Sequence, residues 1–97
     1  MHVTIRRYHI NPGSTSELIE RIESGFLPII SKSRNFIAYY AVDEGDGDIT
    51  AVSFYKDEAS ATASNELAAS WAMKNLGSLI SMPPKIIAGE VVAHAAA

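Results

Sequence analysis

The sequence predicts a two-layer α+β fold with four strands and two helices in the order β-α-β-β-α-β. Three observations support this prediction. Two apolar stripes at helical spacing lie between four strand-like segments. A turn rich in Gly and Asp at 43–48 joins the second and third strands as a hairpin. The segments 36–42 and 86–93 are apolar on both faces, so both faces of their sheet need a cover.

The first strand is expected at residues 2–10, where β-branched and aromatic residues partly alternate. Ser14 and Glu17 have the spacing of a capping box and begin the first helix. Pro28 is expected to kink this helix or to mark its last turns before it ends near Ser33, because proline lacks an N–H. The apolar stripe of this helix is formed by Leu18, Ile22 and Phe26, flanked by Ile19 and Ile29.

The remaining elements follow from the same patterns. Strands two and three are expected at 35–42 and 49–55, and strand four at 85–94. The second helix is expected to begin at Asp57 and to run to about Leu79, with an Ala-rich composition that favours a helix. Its buried stripe is expected to consist of Leu67, Ala68, Trp71, Ala72 and Leu76.

This order of elements describes two split β-α-β units, the ferredoxin-like sandwich. Right-handed crossovers place strands one and three at the centre of an antiparallel sheet of order 4-1-3-2, with both helices on one face. The other face would expose more apolar surface than the ~300–600 Å² that monomers tolerate. The sequence therefore predicts a homodimer joined through the sheet face.

Length and composition bound the function. The 97 residues predict one domain, 1–97, and the absence of cysteine excludes disulfides and thiolate metal sites. The net charge is −3 with no cluster of basic residues, so we expect no nucleic-acid partner. No apolar stretch reaches the ~18–20 residues that a membrane span needs, and no signal peptide is visible. We expect a cytoplasmic protein without a membrane partner.

Several segments resemble the antibiotic-biosynthesis-monooxygenase-like proteins of the dimeric α+β barrel superfamily. They are the 64–71 part of helix two, Trp71-Ala-Met-Lys-Asn75-Leu76, Pro83-Pro84, and Gly89-Glu90-Val91-Val92. The resemblance covers nearly the whole chain. It implies a dimeric barrel and a cofactor-independent monooxygenase-like activity on a small phenolic or polycyclic aromatic compound, bound between helix two and the sheet. No cofactor and no metal are expected.

The chain departs from two branches of that superfamily. Haem-degrading relatives combine an Asn on strand one with a Trp and a haem-ligating His on helix two. Here strand one carries Arg6 and Arg7, and helix two has no histidine, so haem degradation is disfavoured. Quinone-forming relatives place an Asn one helical turn before the Trp. This chain has Leu67 at that position, so it lacks that Asn.

The resemblance and the residue types together give candidate site residues. His9 is a candidate general base, since its ordinary pKa lies near neutrality. Arg7 or Asn75 is the candidate oxyanion partner. The predicted substrate walls are Trp71, Tyr39 and Tyr8. A site of this kind requires an enclosed cavity of at least ~300 Å³.

Each candidate also has a structural interpretation. On that interpretation Trp71 is a core anchor, His9 is an exposed residue at a strand end, and Asn75 is a hydrogen-bond partner of nearby backbone. Arg6 or Arg7 is a candidate ion-pair partner of Glu90, and the other arginine is a candidate to line the pocket and hold an anionic or phenolate substrate. The alternative function is therefore a non-catalytic dimeric protein that binds a small molecule or is associated with stress, with a collapsed pocket.

Overall fold

The computed structural model describes residues 1–97 and contains one four-stranded sheet with helices packed on one face. The strands are β1 (His2–His9), β2 (Phe36–Asp43), β3 (Asp48–Tyr55) and β4 (Lys85–Glu90). The helices are α1 (Thr15–Arg21), α2 (Leu27–Ile30) and α3 (Glu58–Leu76), with a π-helical turn (Ile22–Phe26) between α1 and α2. None of the helices is long and apolar enough to span a lipid bilayer.

The sheet is antiparallel with the order β2-β3-β1-β4, which is the predicted order read from the opposite edge. This confirms the ferredoxin-like α+β fold. The predicted fourth strand is too long, because β4 ends at Glu90 and not at His94. Glu90 pairs with His2, the first residue of β1, so the chain beyond it has almost no strand to pair with. Only the Val91 amide continues, donating to the carbonyl of Met1.

The first helical region ends earlier and less regularly than the sequence predicts. Pro28 offers no amide hydrogen to the carbonyl of Ser24 and its ring crowds the preceding turn, and the helix widens to the π-helical turn directly before it. The predicted capping box is absent because Ser14 has helical backbone angles and its side chain caps nothing. Glu17 instead forms an ion pair with Arg21.

Helix α3 begins as predicted and ends three residues early. The Asp57 side chain accepts a hydrogen bond from the Ser60 amide at 2.7 Å, which satisfies one free donor at the helix start. The helix stops at Leu76, not Leu79, because the Asn11 amide binds the Leu79 carbonyl at 2.8 Å and ties the chain to the end of β1.

The buried stripe of α3 differs from the predicted one. Leu67 is 40% exposed, whereas Ser64, one turn of the helix closer to its start, is buried. The Ser64 hydroxyl forms a hydrogen bond with the Tyr55 hydroxyl, which explains how a polar residue takes a core position. The core under the helices contains Tyr8, Ile10, Leu18, Ile22, Phe26, Ile30, Ile49, Ala51, Tyr55, Ala61, Ala72, Leu76 and Leu79.

The two faces of the sheet are covered unequally. On β1, the residues Thr4, Arg6 and Tyr8 are buried beneath the helices, and the residues between them face the other way. That other face, here called the bare face, has no cover within the chain. Its apolar residues are Val3, Ile5, Ala38, Tyr40, Val42, Val52, Phe54 and Ile87, as the strand register places them.

Candidate functional site

An aromatic cluster fills the space between α3 and the sheet. The rings of Phe26 and Trp71 have centroids 5.1 Å apart, and Phe26 meets Tyr39 edge to face at 5.7 Å. Gly25 allows this packing, since a Cβ at this position would lie 3.0 Å from Cζ2 of Trp71. The cluster joins the π-helical turn, α3 and β2. Trp71 and Tyr39 therefore contact the same ring, that of Phe26.

Arg6 lies beside this cluster with its guanidinium in the protein interior. Its side chain reaches from β1 to α3, where Nη2 donates a hydrogen bond to the carbonyl of Asn65 at 2.7 Å. The residue is only 6% exposed, and no carboxylate lies within ion-pair distance of it. A buried arginine without an acidic partner is unusual, because burying an unpaired charge costs several kcal/mol.

The cavity enclosed by these groups is small. Its volume is about 20 Å³, which is room for about one water molecule. Fourteen residues line it, among them Arg6, Tyr8, Tyr39 and Trp71. The enclosed cavity of ~300 Å³ that the sequence interpretation requires is absent in this conformation. The difference arises because Trp71 and Phe26 pack against each other and fill the space.

The hydroxyl of Tyr39 cannot act as a general base near neutral pH. Burial raises the pKa of Tyr39 well above its usual range, and the neighbouring Tyr8 adds to the shift. Tyr39 therefore stays protonated and can donate a hydrogen bond to a bound anion. Arg6 is the only charged residue that lines the cavity.

Arg7 and His9 lie on the opposite face of the sheet, in an exposed charged cluster at the β2–β3 hairpin. Arg7 Nε is 3.0 Å from a carboxylate oxygen of Glu44, and Arg7 Nη2 is 3.1 Å from Asp48. His9 Nδ1 lies 2.8 Å from the other Asp48 oxygen. The hydrogen bond with His9 is the main cause that lowers the pKa of Asp48. The hydroxyl of Thr50 and then Arg7 lower the pKa of Glu44.

The predicted ion pair of Glu90 with Arg6 or Arg7 does not form. Glu90 aligns with His2 across the β1–β4 pair, whereas Arg6 and Arg7 align with Ile86 and Lys85. The separation along the paired strands keeps the carboxylate of Glu90 away from the guanidinium groups of Arg6 and Arg7. Arg7 takes its partners from the hairpin instead, and Arg6 has none.

Asn75 is exposed near the end of α3. Its side-chain amide donates to the carbonyl of Trp71 at 2.9 Å, one helical turn earlier. Its own backbone carbonyl accepts a hydrogen bond from Arg21 at 2.6 Å, which links α3 to α1. Asn75 does not line the cavity. The side chain of Asn75 thus contacts nearby backbone, which is the structural interpretation given above for this residue.

The structure thus divides the six candidate residues into two groups. Tyr8, Tyr39 and Trp71 line the cavity, whereas Arg7, His9 and Asn75 lie outside it. Arg6 is the cationic residue that the candidate set omits. Alternation along β1 requires that Arg6 and Arg7 face opposite ways, but the sequence does not say which of the two faces the helices. The catalytic roles of Arg7, His9 and Asn75 stay predictions.

Comparison with solved structures supports the fold. A protein of unknown function from Nitrosomonas europaea is 26% identical, with a TM-score of 0.83, over 99% of this chain and 93% of that chain. A monooxygenase from Streptomyces coelicolor, solved in complex with nanaomycin D, is 14% identical, with a TM-score of 0.80, over 99% and 91% of the two chains. The predicted resemblance to antibiotic-biosynthesis-monooxygenase-like proteins is confirmed.

An uncharacterised NIPSNAP domain protein from Burkholderia xenovorans is 17% identical, with a TM-score of 0.70, and the match covers 100% of both chains. No protein of curated function matches the sequence. The family model described as NIPSNAP matches residues 3–82, which is most of the 97-residue chain. The chain therefore belongs to the NIPSNAP family.

Proposed function

We propose that this protein binds a small acidic aromatic molecule, a phenolate or an aromatic carboxylate, between α3 and the sheet. In this proposal Arg6 holds the anionic oxygen, and Trp71, Tyr39 and Tyr8 contact the ring. The observation that carries the proposal is the buried guanidinium of Arg6, which has no carboxylate partner and faces an aromatic cluster. An anionic ligand would supply the missing partner.

The chemistry of arginine fits this role. A guanidinium has five N–H donors in a fixed plane, and Arg6 uses Nη2 for its single hydrogen bond, to the Asn65 carbonyl. The remaining donors can bind two oxygens at once. Such a pair is offered by a carboxylate, or by a phenolate that has a carbonyl next to it. Aromatic side chains around such a group contribute ring stacking, and the protonated Tyr39 contributes one more donor.

Binding requires that α3 moves away from the sheet, since the cavity of about 20 Å³ does not admit a ring. Most α3 residues that face the sheet are small, namely Ala61, Ser64, Ala68 and Ala72, and the two large ones are Trp71 and Leu76. Small side chains bury little apolar area, so separating this part of α3 costs less than separating a helix with a Leu or Ile stripe. We expect the ligand to displace Trp71 from Phe26.

Oxygen chemistry on the bound ligand is a second candidate function, favoured by the monooxygenase-like fold. In such a reaction one atom of O₂ becomes a new quinone carbonyl oxygen at the ring C–H para to a phenol hydroxyl, the other leaves as water with the C–H and O–H hydrogens, and the substrate supplies all four electrons. Tyr39 stays protonated, and His9, the candidate base, faces away from the cavity. Only a substrate that ionises readily beside Arg6 fits this candidate.

Calorimetric titration with salicylate tests the binding proposal. We expect wild type and Arg7→Gln to bind alike, and Arg6→Gln to bind at least tenfold more weakly, because a charge-assisted hydrogen bond contributes about 1.5–3 kcal/mol. Arg7 is the matched control, being the next residue on β1 with its side chain on the bare face. Equal affinity of wild type and Arg6→Gln would refute the proposal.

Trp71 gives an independent signal, because it is the one tryptophan of the chain. We expect salicylate to change the tryptophan emission of wild type, as the indole leaves its contact with Phe26.

For the oxygenase candidate, oxygen consumption is measured with a panel of phenols and quinols. Oxygen consumption that is lost in Arg6→Gln and retained in Arg7→Gln would support catalysis at this site. The absence of consumption with every compound would refute the oxygenase candidate.

We also propose that the protein forms a homodimer through the bare face, with the helices outside. The support is the apolar row on β1, β2 and β3, in which Tyr40 is 61% and Val42 is 48% exposed in the single chain. Sheet-to-sheet contact of two copies would bury these side chains, and a standard interface buries about 800 Å² per partner. The cavity near Arg6 lies on the other side of the sheet and stays accessible.

A further inference from the structure

A groove beside the second half of α3 adjoins the cavity and is far larger. Its volume is about 480 Å³, against about 20 Å³ for the enclosed cavity. It lies between the second half of α3, the loop at 80–84 and the start of β4. A volume of this size lies within the range of small-ligand sites. The groove therefore offers preformed space that the cavity does not.

Three residues, Arg6, Tyr8 and Ala72, line both the groove and the cavity. The two spaces are thus neighbours that share the one buried cation. A molecule whose acidic group contacts Arg6 can extend into the groove without crossing a secondary-structure element. The groove opens on the helix side of the sheet, so a dimer formed through the bare face leaves it open.

The lining of the groove defines what can occupy it. Its only charged residue is Arg6, and most of the others are apolar, including Met73, Met82, Ile80 and Ile86. Met73 is 80% and Met82 is 54% exposed, so large apolar side chains lack a cover here. Methionine adapts its shape to different apolar ligands, whereas Pro83-Pro84 forms a rigid end of the groove.

We propose that the ligand carries an apolar chain on its acidic aromatic group, and that the groove holds this chain while Arg6 holds the acid. The inference rests on the proposed function and narrows it to alkyl-substituted phenolic or aromatic acids. It follows from charge complementarity at one end, where Arg6 lacks an anion, and from the absence of any other charge along the groove. A second charged or strongly polar group on the ligand would find no partner there.

Two probes that differ only in the chain test the proposal. They are salicylate and a ring-substituted hexylsalicylate with a free carboxylate, each titrated calorimetrically into the protein. We expect hexylsalicylate to bind wild type at least tenfold more tightly, because each buried CH₂ adds to the affinity. Met82→Asp places a charge in the groove and is expected to remove this gain. Ile29→Asp is the control, because Ile29 is 43% exposed and lies outside both spaces.

The outcomes separate this inference from the proposed function. Arg6-dependent binding of salicylate with no gain from the hexyl chain overturns the groove proposal and leaves the binding proposal intact. A gain that survives Met82→Asp also overturns the groove proposal. Binding of neither probe in an Arg6-dependent way overturns both. A gain that Met82→Asp removes and Ile29→Asp retains supports the alkyl-chain site.

Discussion

Arg6 and Arg7 are neighbours on β1, yet the two faces of the sheet place them in opposite surroundings. Arg7 is exposed and has two carboxylate partners, whereas Arg6 is buried and has none. Exposed charges pair with little effect on stability, but a buried charge without a partner is costly. The face that would need a counter-ion lacks one, and this contrast supports the proposal that Arg6 binds an anionic ligand.

The apolar residues of the two faces differ in the same way. Ile49 on the helix side is fully buried within the chain, while Tyr40 on the bare face is mostly exposed. One face is completed by α1, α2 and α3. The other still needs a cover, for which we propose a second copy. Substitutions on the two faces should therefore change different properties, namely stability on one and assembly on the other.

Ile49→Ala should have the largest effect on stability. Ile49 is 0% exposed in the core between β3 and the helices, and such a truncation leaves a cavity that costs about 2–5 kcal/mol of unfolding free energy. Urea denaturation followed by circular dichroism measures it. A loss below about 1 kcal/mol would mean that the helices do not pack on this face as described.

Val52→Asp should change assembly with a smaller effect on the fold. Val52 lies on β3 and pairs with Ile5 and Tyr40 on the bare face. A carboxylate in the proposed interface has no partner, so we expect the dimer to dissociate at least about 100-fold more readily. Light scattering should give the mass of two chains for wild type and of one chain for the variant. A wild-type mass of one chain at micromolar concentration would contradict the dimer.

The charged cluster at the hairpin should make stability depend on pH in the acid range. Its contacts lower the pKa values of Asp48 and Glu44, so these groups bind protons more weakly in the folded chain than in the unfolded chain. Their contribution is complete above the unfolded pKa values of about 4 and is lost as the pH falls through the folded values.

The double variant Glu44→Gln/Asp48→Asn should therefore lose less stability than wild type as the pH falls from about 5 to 2. Asp46→Asn is the control, because Asp46 lies in the same turn and forms no ion pair. Denaturation at a series of pH values measures the difference. Parallel pH curves for wild type and the double variant would show that the cluster has no linked effect.

Much of this contrast between the faces follows from the sequence. The patterns at 2–10 and 43–48 predict the first strand and the hairpin, and the right-handed crossovers predict the order of the strands. The local pattern could not predict that Ser64, rather than Leu67, is buried. That choice depends on the Tyr55 hydroxyl, which lies on another element and becomes a neighbour only in the folded chain.

The site was less predictable than the fold. The sequence requires that one arginine of the Arg6-Arg7 pair faces the helices, but the position of the helices decides which one. The sequence left two outcomes for the pocket, an enclosed cavity or a collapsed one, and could not decide between them, since the volume depends on the close approach of Trp71 to Gly25 and Phe26. Packing at this scale depends on tertiary contacts that no spacing rule contains.

The unfolding free energy of Arg6→Met without ligand tests most directly whether Arg6 is kept for binding. Methionine fills a similar volume without a charge, so we expect the variant to be at least as stable as wild type while losing salicylate binding. Arg7→Met serves as the control on the bare face and should retain salicylate binding. A loss of about 2 kcal/mol or more in Arg6→Met would contradict the account, since the buried guanidinium would then be a structural element of the fold.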